Sequence, residues 1–276
     1  MKLPFKIDLT GKTAVVTGAG GVICSELSAV LAACGCKVAL LDINEDAAKL
    51  AAGKAGNNAI AVKCDCLDKN SLSAARDIVC EKLGKADIII NGAGGNNPQA
   101  TCDNEFMYPD LNVEKDFFSL SEKGLRFVFD LNIVSAFLTT QVFAADMIEK
   151  GGNIINISSM NAYRPLTKIP AYSAAKAGIS NFTQWLAVHF APCGIRCNAI
   201  APGFFVTNQN RSLLFKENGE PTARTGKILA ATPMKRFGEV SELTGTLLWL
   251  VSDEASGFVT GSVIAVDGGF AAYSGV

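Results

Sequence analysis

Histidine is almost absent: the 276 residues include one, His189. A catalytic metal held by several histidines is therefore excluded, and a Ser-His-acid hydrolase would have to use His189 itself. His189 lies in an apolar helical stretch, 181–191, and reads as structural. No Gly-x-Ser-x-Gly elbow occurs, which removes the usual frame of a serine nucleophile. No Cys-x-x-Cys occurs, and the two Cys-x-Cys pairs, Cys34/Cys36 and Cys64/Cys66, lack zinc spacing, so no metal site is expected. The nine cysteines, an odd number, read as reduced, small core residues of a cytoplasmic protein, with a regulatory thiol left open. Charge of either sign is scarce in excess: 25 basic residues face 26 acidic ones with no block of one sign. Neither nucleic acid nor a membrane surface is thus an expected partner. No apolar run of ~18 residues suggests a membrane span, and Met1-Lys2-Leu3-Pro4-Phe5-Lys6 lacks the apolar core of a signal peptide.

What is present is a rhythm. Apolar runs at 13–17, 37–41, 59–63, 86–90, 153–158, 196–200 and 262–266 read as strands. Helical patterns at 22–34, 45–55, 69–83, 125–150, 172–192 and 240–251 separate them. Such alternation predicts an α/β fold, a doubly wound parallel sheet with helices on both faces. With no linker or repeat, residues 1–276 read as a single domain. Two long polar connections, 95–123 and 204–232, follow strand ends and read as substrate loops.

The strand ends carry the chemistry. Tyr172 and Lys176 stand one helical turn apart, and an ammonium there favours the phenolate, so the pair can exchange a proton with an alcohol or ketone. Ser159 ends the fifth strand, where open α/β sheets place their ligands. The turn Thr17-Gly18-Ala19-Gly20-Gly21-Val22-Ile23-Cys24 lets backbone approach a pyrophosphate at a helix amino terminus. Asp42 closes the second strand, where a carboxylate accepts from a ribose diol and repels a 2′-phosphate. No arginine or lysine in the glycine turn or just after Asp42 offsets that repulsion, which favours NAD over NADP. Asp65 ends the third strand, and Asn91-Gly92-Ala93-Gly94 the fourth, with small residues that admit a flat ligand.

Taken in order, Thr17-Gly18 and the following glycines, Asn91-Gly92-Ala93-Gly94, Asn132, Ser159, Tyr172-x-x-x-Lys176 and Pro202-Gly203 resemble the short-chain dehydrogenase/reductase family over about residues 9–269. The resemblance implies a Rossmann-like fold and an NAD-dependent oxidoreductase. Tyr172 would be the acid/base and Ser159 would hold the substrate oxygen. Lys176 would bind the nicotinamide ribose and lower the tyrosine's pKa, and Asn132 would hold a water in the proton relay. Cofactor contacts would come from Thr17, Gly18, Gly20, Gly21, Val22, Ile23, Asp42, Ile43, Asp65, Cys66, Asn91, Gly92, Ala93, Gly94, Tyr172, Lys176, Pro202, Gly203, Phe205 and Thr207. The chain departs from the family's pattern twice. Val22 and Cys24 stand where the last two glycines of Thr-Gly-x-x-x-Gly-x-Gly are usual, and Asn91-Gly92 replaces the commoner Asn-Asn.

Residues 91–98, 153–172, 201–211 and 267–276 are similar, more narrowly, to sugar-acid enzymes of the D-mannonate oxidoreductase (fructuronate reductase) type. That likeness implies a hexuronate or aldonate substrate, which needs a cationic clamp and hydroxyl partners. Arg164 is the first choice of clamp, its planar fork suited to a carboxylate, with Lys168 nearby. Asn96, Asn97 and Asn161 offer amides, and Gln209, Asn210 and Arg211 could add to them. Substrate contacts are thus expected from Asn96, Ser159, Asn161, Arg164 and Tyr172. A gluconate-, polyol- or 3-oxoacyl-type reductase stays open, as does a non-catalytic nucleotide-binding protein. The apolar, glycine-rich segment 257–276 is of the kind that joins subunits in this family, implying a homo-oligomer, a tetramer; the bland alternative is a last core strand with a tail.

Overall fold

The computed structural model describes residues 7–207 and 211–275 and contains one parallel sheet. Its strands are β1 (Thr13–Thr17), β2 (Lys37–Asp42), β3 (Ala59–Lys63), β4 (Ile88–Asn91), β5 (Gly152–Ile157), β6 (Ile195–Pro202) and β7 (Val263–Val266). They lie in the order β3-β2-β1-β4-β5-β6-β7. Both sides of the sheet are covered, so consecutive strand residues bury in opposite directions, and the runs are apolar throughout rather than alternating. Ile88 and Ile90 join one core with Val16, Leu40, Ile155 and Ile200, while Ile89 joins the other with Val15, Leu41 and Ile154.

Helices α1 (Val22–Ala33) and α9 (Thr244–Val251) supply Leu27, Leu31, Leu247 and Leu250 to the first core. Helices α3 (Lys69–Lys82), α5 (Ser135–Phe143) and α6 (Pro170–Phe190) supply Leu72, Val79, Phe143, Ile179 and Leu186 to the second. Helix α2 (Glu45–Ala55) starts where the Asn44 side chain accepts from Ala47 N–H, and α3 where Asp68 accepts from Asn70 N–H. The strand order reverses direction between β1 and β4, which opens a crevice at their carboxyl ends.

The structure corrects the expected elements in two places. The predicted helix 125–150 divides into α4 (Glu122–Phe129), a π turn at Asp130–Val134, α5, and a 3₁₀ turn at Ala144–Asp146. A single wide turn leaves hydrophobic spacing nearly intact, so periodicity does not reveal it. The whole run Glu122–Asp146 is long and apolar enough to cross a bilayer, but half of its most apolar window is buried within the protein, as in a core helix. The second correction is that the predicted loop 204–232 holds two helices, α7 (Arg211–Leu214) and α8 (Ala223–Ala231). Helix α8 is capped by Thr222 and buries only Thr225 and Ile228, too little apolar stripe to show in the sequence. A last short helix, α10 (Asp253–Ser256), precedes β7. Gln209 and Asn210 lie outside the described residues.

Candidate active site

Helix α6 begins with Pro170 in its first turn, a position that needs no N–H, so Tyr172 and Lys176 occupy its first two turns. Lys176 Nζ donates to the carbonyl of Ile157, the last residue of β5, at 2.8 Å. This bond ties the helix to the strand end, two residues before Ser159. Ser159 is buried and extended (φ −164°, ψ 155°), and its Oγ accepts from Asn161 N–H at 3.2 Å. Burial lifts the Tyr172 phenol above its usual value, against a smaller lowering by the neighbouring Ser159 hydroxyl. The depression expected from Lys176 is not found. Its Nζ lies 5.6 Å from the centre of the Tyr172 ring, and its own burial brings it down to about 8. Removing both groups from water costs each its charged form, and that effect exceeds their mutual influence.

Asn132 sits inside the π turn with 1% of its surface exposed. Its Nδ2 donates to Val128 O and Gly95 O, both at 2.7 Å, and its Oδ1 accepts from Gly95 N–H at 3.2 Å. From the π turn this side chain holds the Val128 carbonyl and fixes the Gly95 backbone beside it. A Cβ on Gly94 would stand 2.7 Å from Asn132 Oδ1 and 3.1 Å from Lys176 Nζ. Asn132, Lys176 and Gly94 therefore meet at one point, Ser159 and Tyr172 at a neighbouring one. Gly95 was not among the expected site residues, and no local pattern marks it.

The crevice floor is bare of side chains. Gly18 has φ +63°, and a Cβ there would lie 2.8 Å from Ala93 Cα. Gly21 precedes α1 and gives its first N–H groups no side-chain partner, so they remain available to an anion. Gly20 N–H donates to Asp42 Oδ2 at 2.9 Å and Asn44 N–H to Asp42 Oδ1 at 2.9 Å, which aims the carboxylate across the glycine turn. Val22 and Ile43 stay exposed at the rim, and Asp65 stays at the end of β3, its Oδ1 accepting from Leu67 N–H at 2.9 Å. This bare floor, uncapped helix start and strand-end carboxylate fit a dinucleotide. On the far side Gly203 passes so close to β7 that a Cβ would lie 2.6 Å from Asp267 Cα, and Thr207 O accepts from Arg211 N–H at 3.0 Å. Pro202, at the end of β6, is buried.

The two departures in the glycine turns share one contact, between Cys24 and Gly92. A Cβ on Gly92 would lie only 2.2 Å from Cys24 Sγ. The cysteine in the usual glycine position fills the space that a side chain at position 92 would need.

Several of the residues expected to make contacts also hold the scaffold together. The Asn91 amide donates to Thr140 Oγ1 at 3.0 Å and Asn156 Oδ1 at 2.8 Å, inside the core beneath the crevice. Thr17 Oγ1 accepts from Gly92 and Ala93 N–H at 3.1 and 3.3 Å, shaping the turn after β4. Phe205 is buried in the first core, its ring against Gly238, because the chain crosses over itself there. The Cys66 thiol turns into the second core beside Cys64, and its pKa rises. Asn96 is exposed and bonded within its own loop, to Thr101 Oγ1 at 2.9 Å. Arg164 is exposed, and its Nε donates to Ala271 O at 3.1 Å, toward the carboxyl-terminal turn. Asn161 is buried near Ser159, and its Oδ1 has no hydrogen-bond partner.

A family model described as enoyl-(acyl carrier protein) reductase matches residues 18–271. An uncharacterized oxidoreductase of Haemophilus influenzae is 55% identical over 281 residues, covering 100% of this chain and 99% of that one. The 7alpha-hydroxysteroid dehydrogenase of Escherichia coli is 32% identical over 267 residues, 95% of each chain. The crystal structure of a proposed D-mannonate oxidoreductase from Haemophilus influenzae, with bound NAD, superposes with a TM-score of 0.95 at 54% identity and covers 100% of both chains. On this fold, these glycine turns and these matches across nearly its whole length, the chain belongs to the short-chain dehydrogenase/reductase family of oxidoreductases.

Proposed function

We propose that the protein interconverts a secondary alcohol and its ketone with NAD(H), and that the substrate is a sugar acid of the D-mannonate/D-fructuronate kind. The observation that carries the reaction class is the meeting of Tyr172, Ser159, Lys176 and Asn132 at the edge of a side-chain-free crevice. The sugar-acid reading is supported by the relative crystallised with NAD and described as a proposed D-mannonate oxidoreductase.

The crevice suits a dinucleotide with its pyrophosphate at Gly18–Val22 and its ribose diol on Asp42. When bound, the nicotinamide takes up or supplies the hydride. Tyr172 takes the proton from the alcohol, or gives it to the ketone oxygen. Ser159, whose hydroxyl acts on the phenol, holds that substrate oxygen in place. Lys176, its amine anchored on Ile157 O, holds a ribose hydroxyl one turn below the phenol. Asn132 fixes the Gly94–Gly95 backbone and a relay water beside Lys176. The unpartnered Asn161 Oδ1 takes a substrate hydroxyl.

Residues 1–276 act as one domain in this reading. Nine free cysteines support a cytoplasmic location. The carboxyl-terminal segment supports a homo-oligomer, a tetramer: Phe258 is fully exposed and β7 is an unpaired sheet edge. Consumption of NADH with D-fructuronate, alongside gluconate-type keto acids, ketoses and 3-oxoacyl compounds, tests the substrate. Preference for a neutral ketose or an acyl ketone would remove the sugar acid, and no turnover with any ketone would remove the enzyme.

A further inference from the structure

Three loops leave the carboxyl ends of three adjacent strands, β4, β5 and β6, and their charges converge. Glu105 lies on the loop after β4. Lys227, on α8 in the loop after β6, donates from Nζ to both Glu105 oxygens, at 2.7 and 2.9 Å. Lys168 lies on the loop after β5, between Ser159 and Tyr172. Its carbonyl accepts from Cys102 N–H at 2.8 Å, which lays it against the chain three residues before Glu105. Arg224 precedes Lys227 by one turn on the same side of α8. Lys227 first, then Lys168 and Arg224, hold the Glu105 carboxyl below its usual value. Three cations thus stand by one carboxylate, on loops that rise from the same sheet edge as Ser159, with Asp103 and Asp116 the other acids near Cys102.

We propose that Lys168, Arg224 and Lys227 are the group that recognises the substrate's carboxylate, with Glu105 the resident anion that gathers them until an acidic sugar enters. This rests on the sugar-acid reading above. It moves the clamp from Arg164, whose Nε is committed to Ala271 O, to a cluster supplied by all three loops. Arg224 offers the planar fork for two parallel bonds, and the lysines add point charges on either side. The arriving carboxylate replaces Glu105 among the same cations, so binding draws α8 and the loops after β4 and β5 onto the substrate.

The test compares wild type, Arg224→Gln/Lys227→Gln and Glu105→Gln with D-fructuronate and NADH. The double variant is expected to raise KM for D-fructuronate ~tenfold or more. Glu105→Gln is expected to lower that KM, because a competing anion is gone. The affinity for NADH, read by fluorescence, stays at the wild-type value in both and shows that the fold is intact. An unchanged KM in the double variant overturns the proposal while leaving the sugar-acid reading in place. A raised KM in Glu105→Gln makes Glu105 a strut between loops and overturns its part. Wild-type enzyme that reduces neutral ketones but no acidic sugar overturns the reading and the proposal together.

Discussion

The two sides of the crevice tolerate change very differently. On the dinucleotide side, added atoms have nowhere to go: a Cβ would lie 2.2 Å from Cys24 Sγ at Gly92, 2.6 Å from Ala47 Cβ at Gly20 and 2.8 Å from Ala93 Cα at Gly18. On the substrate side, a Cβ at Gly219 or Gly226 meets nothing within 4 Å. There Phe106, Tyr108, Phe117 and Phe118 stand exposed, and the exposed Lys227–Glu105 pair joins the two loops. A ligand shared by many reactions is held by backbone with no slack. A ligand peculiar to one reaction is met by loops whose residues can be exchanged without disturbing the sheet.

The largest break in that comparison comes from the one group that must serve both sides. Tyr172→Phe removes the proton carrier without altering the floor of the crevice. The turnover rate is expected to fall ~10²–10⁴-fold, while NADH affinity, measured by fluorescence titration, stays within about twofold because the glycine turn, Asp42 and Lys176 are untouched. Near-normal turnover in this variant would remove Tyr172 from its role.

Next in size is the packing of the glycine turns. Gly92→Ala forces a methyl group against Cys24 and is expected to cost ~1–3 kcal/mol, read as a lowered Tm. Adding Cys24→Gly should restore part of that loss and no more, because Thr17 O still lies 2.8 Å from the new Cβ. Strict additivity of the two changes would show that the cysteine and the glycine are independent. A loop substitution such as Gly219→Ala, at φ +83° but in open space, isolates backbone strain from contact and serves as the comparison.

Much of this contrast was legible in the chain itself, and the reason is periodicity. Strands buried on both faces announce themselves as apolar runs, so every strand was placed within about two residues of its ends. Ser159, Tyr172 and Lys176 could be read because their spacing along one strand and one helix dictates their proximity. The pairing of Cys24 with Gly92 could not, since it joins residues 68 positions apart through a contact between two turns. The same holds for Glu105 and Lys227, which meet only because the loops after β4 and β6 rise from the same edge of the sheet. The π turn around Asn132 was hidden because one extra residue per turn scarcely disturbs the hydrophobic pattern. The direction of Arg164 was hidden for a related reason: its position in the loop after β5 is evident in the sequence, whereas a carbonyl 107 residues away holds its Nε.

An effect that emerges only above pH 8 concerns what the rigid side gives up in order to hold Lys176. Burial lowers this amine to about 8 from an unfolded value near 10.5. Below pH 8 both folded and unfolded chains carry the proton, and the folded state bears the full cost of an ammonium removed from water. Between pH 8 and 10.5 the folded chain releases the proton while the unfolded chain keeps it, so stability contributed at this position rises with pH, by at most ~1.4 kcal/mol per unit. Lys176→Met has no such group. The difference in unfolding free energy between wild type and Lys176→Met, from denaturant titrations at a series of pH values, should therefore be level from pH 6 to 8 and shift in favour of the wild type above 8. A level difference throughout would mean that Lys176 is solvated like a lysine of the loops, and the contrast between the two sides of the crevice would not extend to its charges.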